Sequence, residues 1–524
     1  MKILFLCSET VWPGVSFLSS WLKRNGHEVR LLMDHLVFRN EFFHNRALGN
    51  LFDKQALFRP RIESYAPDLV AFSINSSNYR WAIDTATWIK SFYPAPVMVG
   101  GILPTIIPDE VLSNPCFDIL CVGEGEEAML AYAQDPSRRD IPNLWFKQGG
   151  EVARNPIAPL ERDLDRYPMP DDGMFYAQMP WTTRYIADII VGRGCPYNCS
   201  FCSNAVKKDI YKGKGPWIRQ RGVEPVIREL VHRKEAWGTR MFDFKNEVFT
   251  TSMDWLRDFS RDYKKHVDLP FYCYFSPNMA REDCISLLKE SGCRCIHFGL
   301  QSGSESLRKT VLNRNEKNEE VLRAAELCRK YGIHFSAHCI MDLPGETFED
   351  VREALKTYNA VRPDDVSVYR LLYLPRSPII KTAIEKGVLT QDDEARINSG
   401  LHNMNPRILM KIEGQEGRFD IYKKYAALFT AVPVLPKAWV DRLAADPERL
   451  RRFKLSPLMI PFIKVFTLAR GGWGILMPFL VFAEAANAWY HLQEKVRALL
   501  RRPGEWMSSR CRRCGEPTQA GKGE

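Results

Sequence analysis

Three cysteines lie within eight residues of one another, and their spacing suits a metal cluster. Cys195, Cys199 and Cys202 form a C-x3-C-x2-C loop, so their thiolates can bind one cluster from a single stretch of chain. An iron–sulfur cluster usually takes four cysteine ligands, so three leave one iron open to a substrate or cofactor. The alternatives are a structural zinc loop or three buried thiols. A zinc site needs a second suitable pair downstream, and Cys293 and Cys295, the next close pair, have a different spacing.

The residues before this loop predict a separate α/β unit. In residues 1–150, apolar strand-like runs alternate with helical segments, which indicates a doubly wound, Rossmann-like parallel sheet. Such sheets bind ligands at the carboxyl ends of their strands. The loops expected at those ends are rich in glycine, which lets backbone approach a ligand closely, and in small polar side chains. The candidate binding residues in these loops are Ser73, Asn75, Ser76, Gly100, Gly101, Gly123, Glu124 and Gly125.

The residues after the linker predict a second α/β unit that begins at the strand leading into the cysteines. Residues 151–182 are rich in proline and aspartate, which indicates a linker. Residues 183–395 alternate strand and helix six times, which predicts a partial (β/α)6 barrel with its site at the carboxyl ends of the strands. Residues 396–524 predict a helical, hydrophobic and basic carboxyl-terminal region. The expected barrel strands are Tyr185–Val191, Arg240–Phe244, Pro270–Phe275, Cys295–Gly299, His334–Ile340 and Asp365–Tyr369.

The cysteine loop and the motifs that follow it resemble the radical SAM superfamily, in which the open iron of a 4Fe-4S cluster binds S-adenosylmethionine. Phe201, the aromatic residue before the last cysteine, fits the family pattern. Phe244–Thr250 resembles the family's second-strand motif. This implies that Asn246 or Glu247 accepts hydrogen bonds from the amino group of S-adenosylmethionine.

Two later turns extend the resemblance over residues 180–390. Gln301, followed by Ser302, stands where the family commonly has glutamate, and its amide oxygen can accept from a ribose hydroxyl. The turn that contains Leu343 is close to the family's Gly-Leu-Pro-Gly-Glu-Thr sequence, with Asp342 in place of the first glycine. The resemblance therefore implies cofactor contacts from Gln301, Ser302 and Leu343.

Residues 1–130 resemble the cobalamin-binding domain that precedes the barrel in one large branch of this superfamily. The matching segments are Pro67–Ser73, Gly100-Gly101 with Pro104-Thr105, and Gly123–Glu126. Many such domains ligate cobalt through a histidine in the first loop, but the corresponding residues here, about Ser8–Gly14, include no histidine. The resemblance therefore implies cobalamin without a histidine ligand from the protein.

The resemblance implies a methyltransferase of the class B type. In that family the reduced cluster cleaves S-adenosylmethionine, the resulting 5′-deoxyadenosyl radical takes a hydrogen atom from an unactivated carbon, and methylcobalamin supplies a methyl group. One alternative is a cobalamin-linked radical SAM cyclase, or an oxidative rearrangement enzyme, that acts on a lipid or a tetrapyrrole. A non-enzymatic alternative is a corrinoid or cluster sensor. The expected partners are a small-molecule, lipid or peptide substrate and a reductant such as flavodoxin or ferredoxin.

The charge of the chain is concentrated at its carboxyl-terminal end. Of the net charge of +10, about +9 falls in residues 449–524, which argues against a general nucleic-acid binder. Residues 455–490 contain two short apolar runs flanked by basic residues, and they predict either a helical cap or oligomer contact, or a peripheral contact with the inner membrane face. Met1–Leu6 lacks the features of a signal peptide, so a cytoplasmic protein is expected.

Several further residues with reactive side chains remain unassigned by sequence. Cys511 and Cys514 form a C-x2-C pair, either half of a shared zinc site or an unligated pair. The barrel strands carry histidines and tyrosines that either fill the wall or contact substrate, and these are His297, His334, His338, Tyr272, Tyr274 and Tyr369.

Overall fold

The computed structural model describes residues 1–36, 55–179, 184–401 and 421–455, together with 459–460, 462–463 and 467. In these residues the chain forms two parallel β-sheets covered by helices, followed by a helical region. The predicted fold class, a Rossmann-like unit before a partial barrel, is confirmed.

The first sheet has seven strands in the order β2-β1-β3-β4-β5-β6-β7. The strands β1 to β5 are parallel neighbours, whereas β6 and β7 form an antiparallel hairpin at the edge. The strands are β1 (Lys2–Ser8), β2 (Glu28–Asp34), β3 (Leu69–Ser73), β4 (Val97–Gly100), β5 (Ile119–Cys121), β6 (Leu144–Gln148) and β7 (Glu151–Arg154). The strand order reverses between β1 and β3, which opens a crevice at their carboxyl ends.

Helices cover both faces of this sheet. Buried side chains of β1 and β3 alternate between two apolar clusters, one on each face, as expected for strands that are covered on both sides. The helices are α1 (Pro13–Arg24), α2 (Gln55–Tyr65), α3 (Tyr79–Lys90), α4 (Ile102–Ile106), α5 (Pro108–Leu112) and α6 (Glu126–Gln134). Because β7 belongs to this sheet, the sheet extends into residues 151–154, which the sequence suggests are linker.

The second sheet has six parallel strands in the order β15-β14-β13-β12-β11-β8. A two-stranded antiparallel ribbon, β9 with β10, lies beside the first strand. The strands are β8 (Ile186–Ile189), β9 (Gly192–Arg193), β10 (Arg219–Gln220), β11 (Met241–Phe244), β12 (Phe271–Phe275), β13 (Cys293–Gln301), β14 (His334–Met341) and β15 (Asp365–Arg370). All six expected barrel strands are present, in the predicted order.

The remaining helices connect these strands and cover their outer faces. In α10, Ser252 caps the first turn by accepting from the Trp255 amide, and Leu256, Phe259 and Tyr263 face the core. These helices are α7 (Gly173–Tyr176), α8 (Ser203–Ile210), α9 (Val223–Trp237), α10 (Met253–His266), α11 (Glu282–Ser291), α12 (Glu305–Thr310), α13 (Asn318–Tyr331), α14 (Phe348–Val361), α15 (Ile379–Glu385), α16 (Gln391–Asn398), α17 (Ile421–Ala431), α18 (Lys437–Ala445) and α19 (Pro447–Arg452).

The carboxyl-terminal helices begin against the open edge of the second sheet. Helix α17 packs on β15, and the Asp342 carboxylate accepts from the amides of Ile421 and Tyr422 at its start. No helix among the described residues is long and apolar enough to cross a membrane. Most of the proposed membrane-contact segment, residues 455–490, lies outside the described residues, as do Cys511 and Cys514.

Candidate cofactor site

The cysteine loop is held in place by its own backbone turn and by a tryptophan. Gly194 has φ +89°, and a Cβ there would lie 2.1 Å from the Trp217 carbonyl oxygen, so only glycine fits. The Trp217 indole N–H donates to the Cys195 carbonyl at 2.9 Å. At the other end of the loop, the Cys202 sulfur caps α8, 3.5 Å from the Asn204 amide. The loop thus leaves β9 in a defined direction and ends at a helix.

The three thiols lie close enough to influence one another and suit an iron–sulfur cluster. Burial raises the pKa of Cys195 to about 11, and the charges of Glu247, Cys199 and Cys202 add to this effect. Arg314 favours a thiolate, because its Nη1 lies 3.4 Å from the Cys199 sulfur. Among the described residues, no three His, Cys, Asp or Glu side chains converge on one ion. A 4Fe-4S cluster does not require such convergence, because each of the three thiolates would hold a different iron.

Sequence reasoning missed Arg314, which lies about 115 residues after Cys199 in the chain. Its Nη2 also contacts Glu316 at 2.5 Å, and the Ser276 hydroxyl donates to the same carboxylate at 2.7 Å. Glu316 therefore holds the guanidinium against the cysteine loop. No local motif marks this residue, because the contact forms only when the loop after α12 packs on the cysteine loop after β9.

The residues expected to contact S-adenosylmethionine fall into two groups. Glu247 is exposed beside the cysteine loop, where the Asn204 side-chain amide donates to it at 3.0 Å. Phe201 and Leu343 share one apolar cluster, which forms a wall next to the loop. These three residues are placed where a bound cofactor can meet an acceptor and an apolar surface.

Two of the other three expected contacts have structural roles. Asn246 is buried, and its amide accepts from Val191 N at 2.9 Å and donates to the Gly192 carbonyl at 2.8 Å. It therefore clamps the end of the first barrel strand, and its expected contact with an ammonium group stays a prediction. Ser302 is also buried, in a turn where its hydroxyl accepts from Ser304 N at 3.2 Å. Gln301 lies at the end of β13, where it adopts φ +63° and is half-buried.

The glycine-rich loops of the first sheet meet at its carboxyl edge, as predicted. The Thr105 hydroxyl donates to the Gly101 carbonyl at 2.7 Å and accepts from Gly123 N at 2.9 Å, which joins two of the loops. Two features suit a large ligand such as a corrin. The Ser8 hydroxyl at the end of β1 is buried and has no hydrogen-bond partner among the residues that the structure describes, and Ile102 exposes its side chain beside Gly101. The residues present therefore fit the group.

Several residues that are expected to bind cobalamin in these loops already make contacts within the protein. A Cβ at Gly101, which has φ +109°, would lie 2.6 Å from the Ile74 carbonyl oxygen, so the protein's own backbone already requires this glycine. Ser73 lies beside the same contact. The Asn75 side chain accepts from Ser77 N at 2.8 Å and orders its own turn. The remaining small residues among the candidates in these loops are Ser76, Gly100 and Gly125.

Glu124 is committed to two arginines of the barrel unit. Arg219 donates to both carboxylate oxygens, at 2.6 and 2.9 Å, and Arg193 lies 3.2 Å away. Burial opposes ionisation of Glu124, but these two partners outweigh it and hold its pKa below the usual value. Glu124 therefore joins the two sheets, and its expected contact with cobalamin stays a prediction.

The barrel interior contains a polar array that sequence alone did not select. Lys245 donates to Asp243 at 2.6 Å and lies 5.8 Å from the Tyr274 ring, which stacks on His297 at 4.8 Å. Burial lowers the pKa of His297 to about 3, so its imidazole is neutral. In the same array, burial and the neighbouring Asp243 raise the pKa of Asp188 to about 6, although Lys245 opposes them.

Two atoms of this array are poised for a ligand. Asp243 Oδ1 and His297 Nδ1 are buried and make no hydrogen bond within the described part of the chain. His338 lies beyond His297, with ring centroids 5.4 Å apart, and Tyr369 forms the exposed rim. The parallel register of the strands contributes to this arrangement. Tyr274 on β12 pairs with His297 on β13, and His338 on β14 pairs with Ser367 on β15. The histidines and tyrosines of these strands thus form one continuous group of ring contacts.

Comparison with known proteins identifies two domains in the chain. The model of the radical SAM superfamily matches residues 189–358, and the model of the B12 binding domain matches residues 2–133. The chain therefore carries a radical SAM domain that is preceded by a B12-binding domain.

Three known proteins show what this chain is similar to. An uncharacterized methyltransferase of Pyrococcus horikoshii is 27% identical over 308 residues, which cover 56% of this chain and 64% of that protein. The anaerobic magnesium-protoporphyrin IX monomethyl ester cyclase of Cereibacter sphaeroides is 24% identical and covers 79% of this chain and 67% of that protein. The radical S-adenosylmethionine methyltransferase TsrM of Kitasatospora setae shares the fold, with a TM-score of 0.59 and 20% identity, over 73% of this chain and 75% of that chain. The chain thus spans less than two thirds of the length of the Pyrococcus relative.

Proposed function

We propose that this enzyme methylates an unactivated carbon of a small polar molecule, with a 4Fe-4S cluster, S-adenosylmethionine and cobalamin. When bound, these groups supply a 5′-deoxyadenosyl radical and a transferable methyl group. The protein's part is to hold the groups near each other, to orient the substrate and to exclude water. Cys195, Cys199 and Cys202 would hold the cluster, and the carboxyl edge of the first sheet would hold the corrin.

One observation carries the proposal: the cysteine loop and the glycine-rich edge of the first sheet are bonded to each other. Arg193, two residues before Cys195, and Arg219 both bind Glu124, which lies between Gly123 and Gly125. Arg193 also pairs with Glu126 at the start of α6. Two cofactor sites in direct contact suit a reaction that passes a group between them, whereas a chain that used only one cofactor would not require this contact.

The residues beside the cysteine loop would bind S-adenosylmethionine in complementary ways. The exposed Glu247 carboxylate can accept from an ammonium group, and Asn204 keeps it directed toward the loop. The apolar wall of Phe201 and Leu343 can pack against the adenine ring.

The barrel interior favours a substrate with polar groups over a lipid hydrocarbon. A purely apolar substrate would leave Asp243 Oδ1 and His297 Nδ1 buried without partners, at a cost of about 1–3 kcal/mol each. A substrate with hydroxyl or amine groups would satisfy both atoms. The reductant that supplies the electron is proposed to be a flavodoxin or ferredoxin, and no nucleic acid takes part.

Anaerobic reconstitution of the full chain with iron, sulfide and hydroxocobalamin tests the proposal. We expect one corrinoid per chain, and we expect 5′-deoxyadenosine when a reductant and S-adenosylmethionine are added. Cys195→Ala should bind corrinoid but form no 5′-deoxyadenosine. Protein with a full cluster that retains no corrinoid would refute the methyltransferase function.

The similarity to the magnesium-protoporphyrin cyclase supports a second candidate, an oxidative cyclisation. Product mass separates the two. With S-adenosylmethionine that carries a deuterated methyl group, methylation transfers the label to the product, whereas cyclisation yields an unlabelled product that has lost hydrogen or gained oxygen.

A further inference from the structure

A short rigid helix links the third cysteine of the loop to the glycine-rich edge of the first sheet. Helix α8 is capped at its start by Cys202 and at its end by Tyr211. The buried Tyr211 hydroxyl lies against Gly123, where a Cβ would be only 2.4 Å from it. A hydrogen bond from the Glu124 backbone reaches the same phenol. Gly123 is thus required both by its φ of +93° and by the tyrosine that packs on it.

A second connection runs from the first cysteine to the same tyrosine. Trp217 donates to the Cys195 carbonyl at 2.9 Å. Its ring packs against Tyr211, with centroids 5.9 Å apart and an interplanar angle of 34°. Tyr211 therefore receives contacts from both ends of the cysteine loop, through α8 and through Trp217.

A third connection fixes the orientation of this assembly. The β9–β10 ribbon pairs Arg193 with Arg219 across its two strands, and both side chains reach Glu124, the residue next to Gly123. Arg219 also donates to the Glu161 carbonyl at 2.8 Å. Two charged contacts and one aromatic contact on adjacent residues resist both sliding and tilting of the two units.

We propose that Tyr211, supported by α8 and Trp217, is a positioning residue that sets the separation between the cluster and the corrin-binding edge. This inference rests on the proposed function, since it concerns the two groups that the function requires. Tyr211 acts by keeping the Gly123 loop at a set distance from Cys202. A displacement of about 1 Å at a reacting centre is enough to lower a rate by a large factor.

The experiment measures the separation itself and needs no substrate. In reconstituted protein that contains cob(II)alamin and the reduced cluster, the electron-spin relaxation of cob(II)alamin depends steeply on its distance from the cluster. The variants are Tyr211→Ala, which removes the contact, and Tyr211→Phe, which keeps the ring and removes the hydroxyl. The matched control is Tyr132→Ala, because Tyr132 is equally buried in the first unit but packs on Phe146, away from the barrel.

We expect Tyr211→Ala to change the relaxation rate by at least about twofold, while Tyr211→Phe and Tyr132→Ala stay close to the wild-type rate. A Tyr211→Ala protein with both groups bound and wild-type relaxation would overturn the inference and leave the proposed function intact. Wild-type protein that binds no corrinoid would instead overturn the proposed function. If Tyr211→Ala does not fold, Tyr211→Leu, which retains more apolar volume, is judged by the same criterion.

Discussion

Glu229 is the centre of a buried charge network that supports the strand before the cysteine loop, and its replacement by glutamine gives a sharp test. The Glu229 carboxylate binds Arg221 at 2.6 Å and also binds Arg233. Arg221 in turn donates to the Ile190 carbonyl at 3.1 Å, five residues before Cys195. Burial opposes ionisation of Glu229, but the two arginines outweigh it and hold its pKa below the usual value.

The expected cost follows from the burial of the three side chains, each of which is at most 5% exposed. Breaking a buried pair by removing one charge typically costs about 3–5 kcal/mol. Arg233 keeps Asp172 as a partner, so the lower value, about 3 kcal/mol, applies to Glu229→Gln. For a unit of this size, that corresponds to a fall in Tm of roughly 6–12 °C.

Thermal unfolding of the anaerobic protein, followed by intrinsic fluorescence, measures this fall. Glu224→Gln is the matched control, because it changes the same residue type on the same helix, where Glu224 pairs with Arg228 and is 79% exposed. An exposed pair is worth about 0.3–0.5 kcal/mol, so the control should lower Tm by no more than roughly 2 °C. Equal shifts in the two variants would refute the reasoning.

The pH dependence of this difference has a definite sign. A carboxyl with a depressed pKa in the folded protein contributes stability above its unfolded pKa, about 4.3, and loses it as the pH falls toward the folded value. The difference in Tm between wild type and Glu229→Gln should therefore be constant near neutral pH and narrow below about pH 4. A gap that widens in acid would contradict a charged Glu229.

Three further predictions concern the cysteine loop, the barrel interior and the first sheet. Cys199→Ala should abolish iron and sulfide retention, whereas Cys284→Ala, which removes a buried thiol outside the loop, should retain both, as measured by metal analysis. The pKa of Asp188 is raised to about 6, so ionisation of this carboxyl destabilises the folded protein as the pH rises from about 4 to 6. The free energy of unfolding of Asp188→Asn should therefore rise by about 2 kcal/mol relative to that of wild type between pH 4 and pH 8. A difference in Tm that stays constant over this range would contradict the prediction. Gly101→Ala should lower the free energy of unfolding by about 2 kcal/mol or more and weaken corrinoid retention, because the new Cβ would meet the Ile74 backbone. The control Gly14→Ala has open space around the new Cβ and should change Tm by no more than a few degrees.

The features that sequence predicts well are those that depend on neighbours in the chain. The three cysteines share one loop, so their spacing alone indicates a cluster. The strands of both sheets are apolar runs bounded by turns, and β14 and β15 begin at the predicted residues, His334 and Asp365. The hairpin of β6 and β7 is different, because its strands are short and its turn, Gly149-Gly150, resembles the start of a linker.

The features that only the tertiary structure decides depend on residues far apart in the chain. Asn246 and Glu247 are adjacent and both polar, yet only the packing of β11 against the end of β8 commits the Asn246 amide to Val191 and leaves Glu247 exposed. Glu124 lies in a glycine-rich loop typical of a ligand contact, but its partner Arg219 is 95 residues away.

The same reason applies to Arg314 at the cysteine loop and to Tyr211 at Gly123. A parallel sheet brings its strand ends to one edge, and sequence shows which side chains stand at those ends. Which of them meet depends on register and on the contact between the two sheets. Local sequence thus determined the chemistry available to this protein, and the long-range packing decided which side chains serve cofactors and which hold the two units together.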